Sequence, residues 1–127
     1  MREIFDHKSS LTNDPSDALR VYACDDRGPG NANHEYIITL DDPSTGLISS
    51  FADINFQNGP LQENAFNGVS NESVLAVVID RLKGFQAGPF ACRENALALT
   101  KLQEAMHWLH ERTRERAFRG VEGKAAA

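Results

Sequence analysis

The chain has 127 residues, enough for one domain with a modest core, and its 41% apolar and 24% charged content is that of a soluble globular protein. No apolar run approaches the ~20 residues of a membrane span and no charged-then-apolar leader opens the chain, so the expectation is a cytoplasmic protein without membrane contact. A net charge of −5 argues against a general nucleic-acid polymer binder, and two distant cysteines, Cys24 and Cys92, argue against a disulfide framework or a zinc site.

Residues 1–18 are polar and weakly patterned, with Ser, Asn, Asp and Pro clustered over residues 9–17, and are read as irregular. Residues 19–24 alternate apolar with less apolar side chains and predict a first strand. The segment from Asp25 to His34, including Arg27-Gly28-Pro29-Gly30, is a loop by every local signal. Its glycines would let backbone N–H groups approach a phosphate, but it lacks the P-loop Lys-Ser/Thr and the dinucleotide fingerprint. Residues 35–40 predict a second strand and 41–46 a turn. Residues 47–57 predict a third strand, with a bulge where alternation slips. Asn58-Gly59 is a hairpin turn signal, after which residues 60–66 are read as a short edge strand. The connections are too short for helical crossovers, so the sheet is expected to be antiparallel.

Ser70 offers an N-cap and Glu72 favours the N-terminal end of the dipole, while Val74, Leu75, Val78, Ile79 and Leu82 keep helical spacing. Together they predict a helix over 71–83, stopped by Gly84. The connector at residues 85–90 is short enough to fold the next helix back antiparallel. That second helix is predicted over 93–118, ended by Arg119-Gly120, with Leu99, Leu102, Met106 and Leu109 on one stripe. At about 38 Å it is roughly twice the first helix, so part of its stripe is expected to meet the sheet or another chain. The fold class is therefore α+β: an N-terminal antiparallel β-sheet over 19–66, then an antiparallel helical hairpin over 70–119 with a long C-terminal helix. A tail over 120–127 completes one domain spanning residues 1–127.

Charge is uneven along this layout. Residues 1–90 carry 6 Lys/Arg against 13 Asp/Glu, a balance of −7, whereas residues 91–127 carry 7 against 5, a balance of +2. A local basic patch of this kind suits a small anion or an acidic partner. Arg112, Arg114, Arg116 and Arg119 make up its core, with Arg112 and Arg116 on one face at i,i+4. Such arginines either hold phosphate oxygens or pair with Glu111 and Glu115 at a solvated helix end. Phe85 and Phe90 flank a Gly-Pro turn, where they either stack a base or plug the bottom of the hairpin. Asn95 can read a base edge or bridge the turn backbone. His107 and His110 form an H-x-x-H pair without a supporting ligand, so no metal is assigned. No nucleophile and base are paired at a catalytic spacing, so no catalytic residue is assigned either.

Asn95 and Arg112 are separated by 17 positions of one helix, roughly 25 Å, beyond the span of one nucleotide-sized ligand. Two such helices paired antiparallel across a two-fold axis would bring Phe85 and Asn95 of one chain against Arg112 and Arg116 of the other. The expectation is two equivalent pockets per homodimer, with Leu99 to Leu109 as the seam.

The run FQAGPFACRENALALTKLQEAMHWLHERTRERAFRGVEG, with GNANHEYIITL and INFQNGP upstream, resembles phage Thoeris anti-defence proteins of the first described type, from about Tyr22 to Gly123. RENALALTKLQEAMHWL is also similar to the hairpin of phage anti-CBASS cyclic-oligonucleotide sponges; the N-terminal sheet and GNANHEYIITL favour the Thoeris branch. The resemblance implies a sponge that sequesters, without cleaving, the cyclic ADP-ribose isomer made by a TIR-domain enzyme. It would act without a cofactor in the cytoplasm of the infected bacterial host. The resemblance also implies ligand-binding roles for Phe85 as stacking ring, Asn95 as carboxamide, and Arg112 and Arg116 as helix-end arginines. Some such proteins form hexamers that also hold cyclic di- or trinucleotides at separate sites. A sponge for those nucleotides, an enzyme that degrades the signal and a purely structural phage protein are the alternative readings.

Overall fold

In the computed structural model, residues 1–8, 18–42 and 44–125 are described; the predicted irregular run at 9–17 lies outside them, as does Pro43 within the predicted turn. The chain forms two compact units, Met1–Gly59 with Phe66–Gly68, and Pro60–Ala65 with Val69–Ala127. The first is a sheet and the second a helical hairpin, so the fold is α+β.

The sheet unit holds four antiparallel strands in sequence order: β1 (Arg2–Ile4), β2 (Leu19–Ala23), β3 (Glu35–Asp41) and β4 (Ile48–Asn55). β1 corrects the irregular reading of residues 1–18. Three residues are too few for alternation to register, and the strand exists because its backbone pairs with β2 at Arg2↔Ala23 and Ile4↔Val21. Between β3 and β4 the register jumps from Ile38↔Ala52 to Thr39↔Ser50, leaving Phe51 as the extra residue. This is the bulge that the slipped alternation predicted, and Phe51 is left exposed. Residues 60–66, read as an edge strand, are instead turns with Glu63 N–H and Asn64 N–H donating to the Pro60 carbonyl. Proline at the head of the segment favours that local closure.

The loop between β2 and β3 is fastened by Asp25. Its carboxylate accepts the backbone N–H groups of His34 at 3.0 Å and Glu35 at 3.2 Å, and the Asn33 side chain at 3.2 Å. Asn33 is buried, and its carbonyl oxygen accepts from Arg2 of β1. Desolvation pushes the Asp25 carboxyl up, but these hydrogen bonds to its charged form outweigh that and hold it below the usual range.

In the hairpin unit, α1 spans Asn71–Gln86 and α2 spans Arg93–Phe118. Ser70 caps α1 as expected and does so reciprocally: its hydroxyl accepts Ser73 N–H while the Ser73 hydroxyl accepts Ser70 N–H. Gly84 does not stop α1. The helix continues to Gln86, because glycine costs only about 1 kcal/mol inside a helix and the hairpin packing of Leu82 and Phe85 outweighs it. Phe85 therefore sits on the last turn of α1 rather than on the connector. α2 begins at Cys92, whose sulfur accepts Asn95 N–H at 3.4 Å.

Buried and half-buried apolar positions fall on one stripe of each helix: Val74, Leu75, Ile79, Leu82 and Phe85 on α1, and Leu99, Leu102, Met106 and Leu109 on α2. The stripe expected to form a seam with another chain thus already meets α1 over most of its length. The large apolar residues left exposed between the start of α1 and the end of α2 are Val77, Phe90, Leu97, Trp108 and Phe118, with Val78, expected on the α1 stripe. No helix among the described residues is long and apolar enough to cross a membrane.

Candidate functional site

The 26 residues of α2 against the 16 of α1 make helices of about 39 and 24 Å, so the last turns of α2 overhang the start of α1. This gives the hairpin two distinct ends, one at the 86–93 connector and one on the overhang. The predicted ligand-binding residues divide between them.

At the connector end, Phe85 is half-buried and meets the exposed ring of Phe90 edge-on, with centroids 6.3 Å apart. Arg81, one turn earlier on α1, lies over the face of Phe85 with its guanidinium carbon 5.1 Å from the ring centroid. Asn95, also half-buried, gives its backbone N–H to Cys92, and its carboxamide has no hydrogen-bond partner among the described residues. Phe85 and Asn95 thus both belong to the end where α1 closes and α2 opens.

On the overhang the four arginines behave differently from one another. Arg114 pairs with Glu111 and Arg119 with Glu115, both exposed pairs of the kind expected at a solvated helix end. Arg116 is buried. It bonds Glu122 at 3.2 Å, the Val121 carbonyl at 3.0 Å and the Lys124 carbonyl at 2.8 Å. Through these contacts it folds residues 121–124 back onto the helix. The same segment is tied to Gln62, whose N–H donates to Gly123 and whose side chain donates to Glu122 O. Arg112 is exposed and has neither an ion pair nor a hydrogen bond among the described residues. It is the one helix-end arginine whose guanidinium is on offer.

The structure therefore puts Phe85 and Asn95 at the connector end of the hairpin, puts Arg112 and Arg116 on the overhang, and keeps Asn95 and Arg112 about 25 Å apart along α2. Arg81 and Glu122 escaped the sequence reading. An i,i+4 relation between Arg81 and Phe85 was present in the sequence, but it becomes visible only when α1 is carried through Gly84. The Arg116–Glu122 contact needs the chain reversal at Gly120, which has a positive φ of 74° and carries no long-range signal in sequence.

Each unit also carries a cavity among the described residues. An open groove of about 510 Å³ is lined by Ala76, Ile79, Asp80, Lys83, Gln103 and Met106, on the side of α1 away from Phe85. In the sheet unit, a more polar hollow of about 270 Å³ is lined by His34, Glu35, Asn55, Phe56, Asn58 and Asn67. His107 and His110 gather no metal-binding cluster among the described residues. The Arg27–Gly30 loop closes on itself, with Arg27 donating to the Asn31 carbonyl and Gly28 N–H to the Ala32 carbonyl.

A long helix paired with a shorter one is also the part of the chain shared with known proteins. The sequence model of the family described as "Acb2/Tad1, hairpin domain" matches residues 49–114, just over half of the chain. A relative described as "Thoeris anti-defense 1", from Bacillus phage SBSphiJ7, is 58% identical over 77 residues, which cover 61% of this chain and 54% of that protein. The chain thus spans about half the length of this curated relative. With α1 and most of α2 inside the matched span, the chain belongs to the Acb2/Tad1 hairpin-domain family.

Proposed function

We propose that the protein is a phage anti-defence sponge. It binds a cyclic ADP-ribose isomer made by a TIR-domain enzyme and holds it uncleaved in the infected cell, so that Thoeris immunity is not triggered. Family membership and the anti-defence description of the phage relative support the anti-defence role. The observation that carries the binding mode is the split of unengaged polar groups between the two ends of α2. The Asn95 carboxamide shares the connector end with Phe85, and the Arg112 guanidinium, unpaired among the described residues, lies at the other end, too far away for one ligand within one chain.

A second copy paired antiparallel places Phe85 and Asn95 of one protomer against Arg112 and Arg116 of its partner. Phe85 stacks the adenine, Asn95 bonds a polar edge of the ligand, and Arg112 meets the pyrophosphate. Arg116, buried and bonded to Glu122 and the Val121 and Lys124 carbonyls, steadies the helix end that presents Arg112. The exposure of Val77 (69%), Phe90 (71%) and Trp108 (70%) on the hairpin supports a homo-oligomer, since an association would remove these large apolar side chains from water. The role is binding, not catalysis.

The test is release. Protein loaded with the product of a TIR-domain enzyme, washed and then heat-denatured, should liberate the intact cyclic isomer by mass spectrometry, in a ratio near one per chain. Recovery of only linear, hydrolysed product would refute the sponge reading. Retention of cyclic di- or trinucleotides alone would replace its ligand.

A further inference from the structure

We propose that Arg81 is a ligand-binding residue of this pocket, supplying the second positive charge for the pyrophosphate from the protomer that stacks the base; this rests on the sponge reading above. A pyrophosphate diester carries two negative charges. On the overhang, Glu122 already neutralises Arg116, Glu111 pairs with Arg114 and Glu115 with Arg119, so Arg112 is the one arginine of that helix end left unbalanced among the described residues. A second guanidinium from the protomer that stacks the base completes the match.

Arg81 is placed to do this. It is exposed, and among the described residues its one interaction partner is the ring of Phe85; the positions one turn away on α1 are Val77, Val78, Gly84 and Phe85, none of them acidic. The ring holds the guanidinium plane at 5.1 Å, so little side-chain freedom remains to be lost when the plane meets a phosphate in a two-pronged contact. In a nucleotide the phosphate lies one ribose away from its base. A cation parked over the stacking ring is therefore within reach of it, and the base takes the face of Phe85 that Arg81 leaves open. Lys83 and Arg93 are exposed cations near the same end, but Lys83 lines the groove on the other side of α1 and neither contacts Phe85. They are the natural controls.

The experiment measures affinity for the cyclic ADP-ribose isomer by calorimetry at several ionic strengths, for the full chain and for Arg81→Ala, Arg81→Lys, Lys83→Ala and Arg93→Ala. Arg81→Ala should weaken binding about tenfold or more and flatten its dependence on salt. Arg81→Lys should lose less and keep the salt dependence, and the two controls should stay within about twofold of wild type. If wild type binds and Arg81→Ala binds equally well, the assignment of Arg81 is wrong and the sponge reading stands. Weakening with an unchanged salt dependence shows that Arg81 only positions Phe85, and an equal loss in all three alanine variants shows a diffuse field; either overturns the assignment. If wild type binds no cyclic ADP-ribose isomer, the sponge reading falls and takes the assignment with it.

Discussion

Arg112→Ala and Arg116→Ala remove the same side chain one helical turn apart, and the structure assigns them opposite consequences. Arg116 has only 7% of its side chain exposed and holds three acceptors of the C-terminal turn. A hydrogen bond to a charged group is worth about 1.5–3 kcal/mol when its partners are fully buried. Here the acceptors border solvent and Glu122 is 41% exposed, so each can recover water when the arginine is lost. A discounted value of about 1 kcal/mol per contact puts Arg116→Ala at about 2–3 kcal/mol, short of the roughly 3–5 for breaking a fully buried pair.

For a chain of this size that loss corresponds to a fall in Tm of roughly 6–15 °C. Arg112 holds nothing among the described residues, so Arg112→Ala should stay within about 0.5 kcal/mol of wild type while losing ligand affinity. Thermal melts followed by far-UV circular dichroism, paired with calorimetric titration of ligand, separate the two effects. Arg116→Ala should also expose the 120–124 segment to limited proteolysis. If the two variants melt within error of each other, the clasp around Arg116 contributes no stability and the division of labour among the arginines is wrong.

Two further outcomes concern the scaffold. Gly84→Ala should stabilise the hairpin by about 0.5–1 kcal/mol, because Gly84 is helical, a Cβ there meets nothing within 4 Å, and alanine restricts the unfolded chain; a fall in Tm would show that α1 does not persist past Lys83. Asp25 has a folded pKa below its unfolded value, so its hydrogen bonds contribute stability above about pH 4, and that stability is lost as pH falls through the folded value. Denaturant titrations should accordingly show Asp25→Asn less stable than wild type at neutral pH, with the gap closing in acid; a constant gap would mean that protonation of Asp25 is not linked to folding.

Local signals carried much of this architecture and failed where structure depends on distant partners. The 35–40 strand, the bulge near Phe51, the Ser70 cap and the full extent of α2 were readable because each rests on residues within a few positions of one another. β1 was not, since it is defined by pairing with a strand more than a dozen residues away. Gly84 misled because propensity is a weak prior against packing: as a stop it placed Phe85 on a turn and hid its relation to Arg81. Among the site residues, position along α2 was legible, and from it the roughly 25 Å between Asn95 and Arg112. Which arginine is free and which is consumed was not. Arg112 and Arg116 are equivalent in sequence, and only the reversal at Gly120 that returns Glu122 to the helix tells them apart.

That distinction bears on how the proposed pocket between two chains would stay empty without unfolding. An exposed helix end bearing four uncompensated arginines would repel itself and its symmetry mate. Pairing three of them with Glu111, Glu115 and Glu122 brings the overhang close to neutral and leaves one guanidinium, Arg112, for an incoming anion. At the connector end, the ring of Phe85 performs the corresponding service for Arg81 without cancelling its charge, because a π face attracts a cation and leaves it a cation. In the antiparallel pair each pocket would then hold two net positive charges, one from each chain, matched to a doubly charged pyrophosphate. Neither half carries both, so affinity for the anion would arise only on assembly, and a variant that blocks pairing while preserving the hairpin should lose ligand as completely as Arg112→Ala.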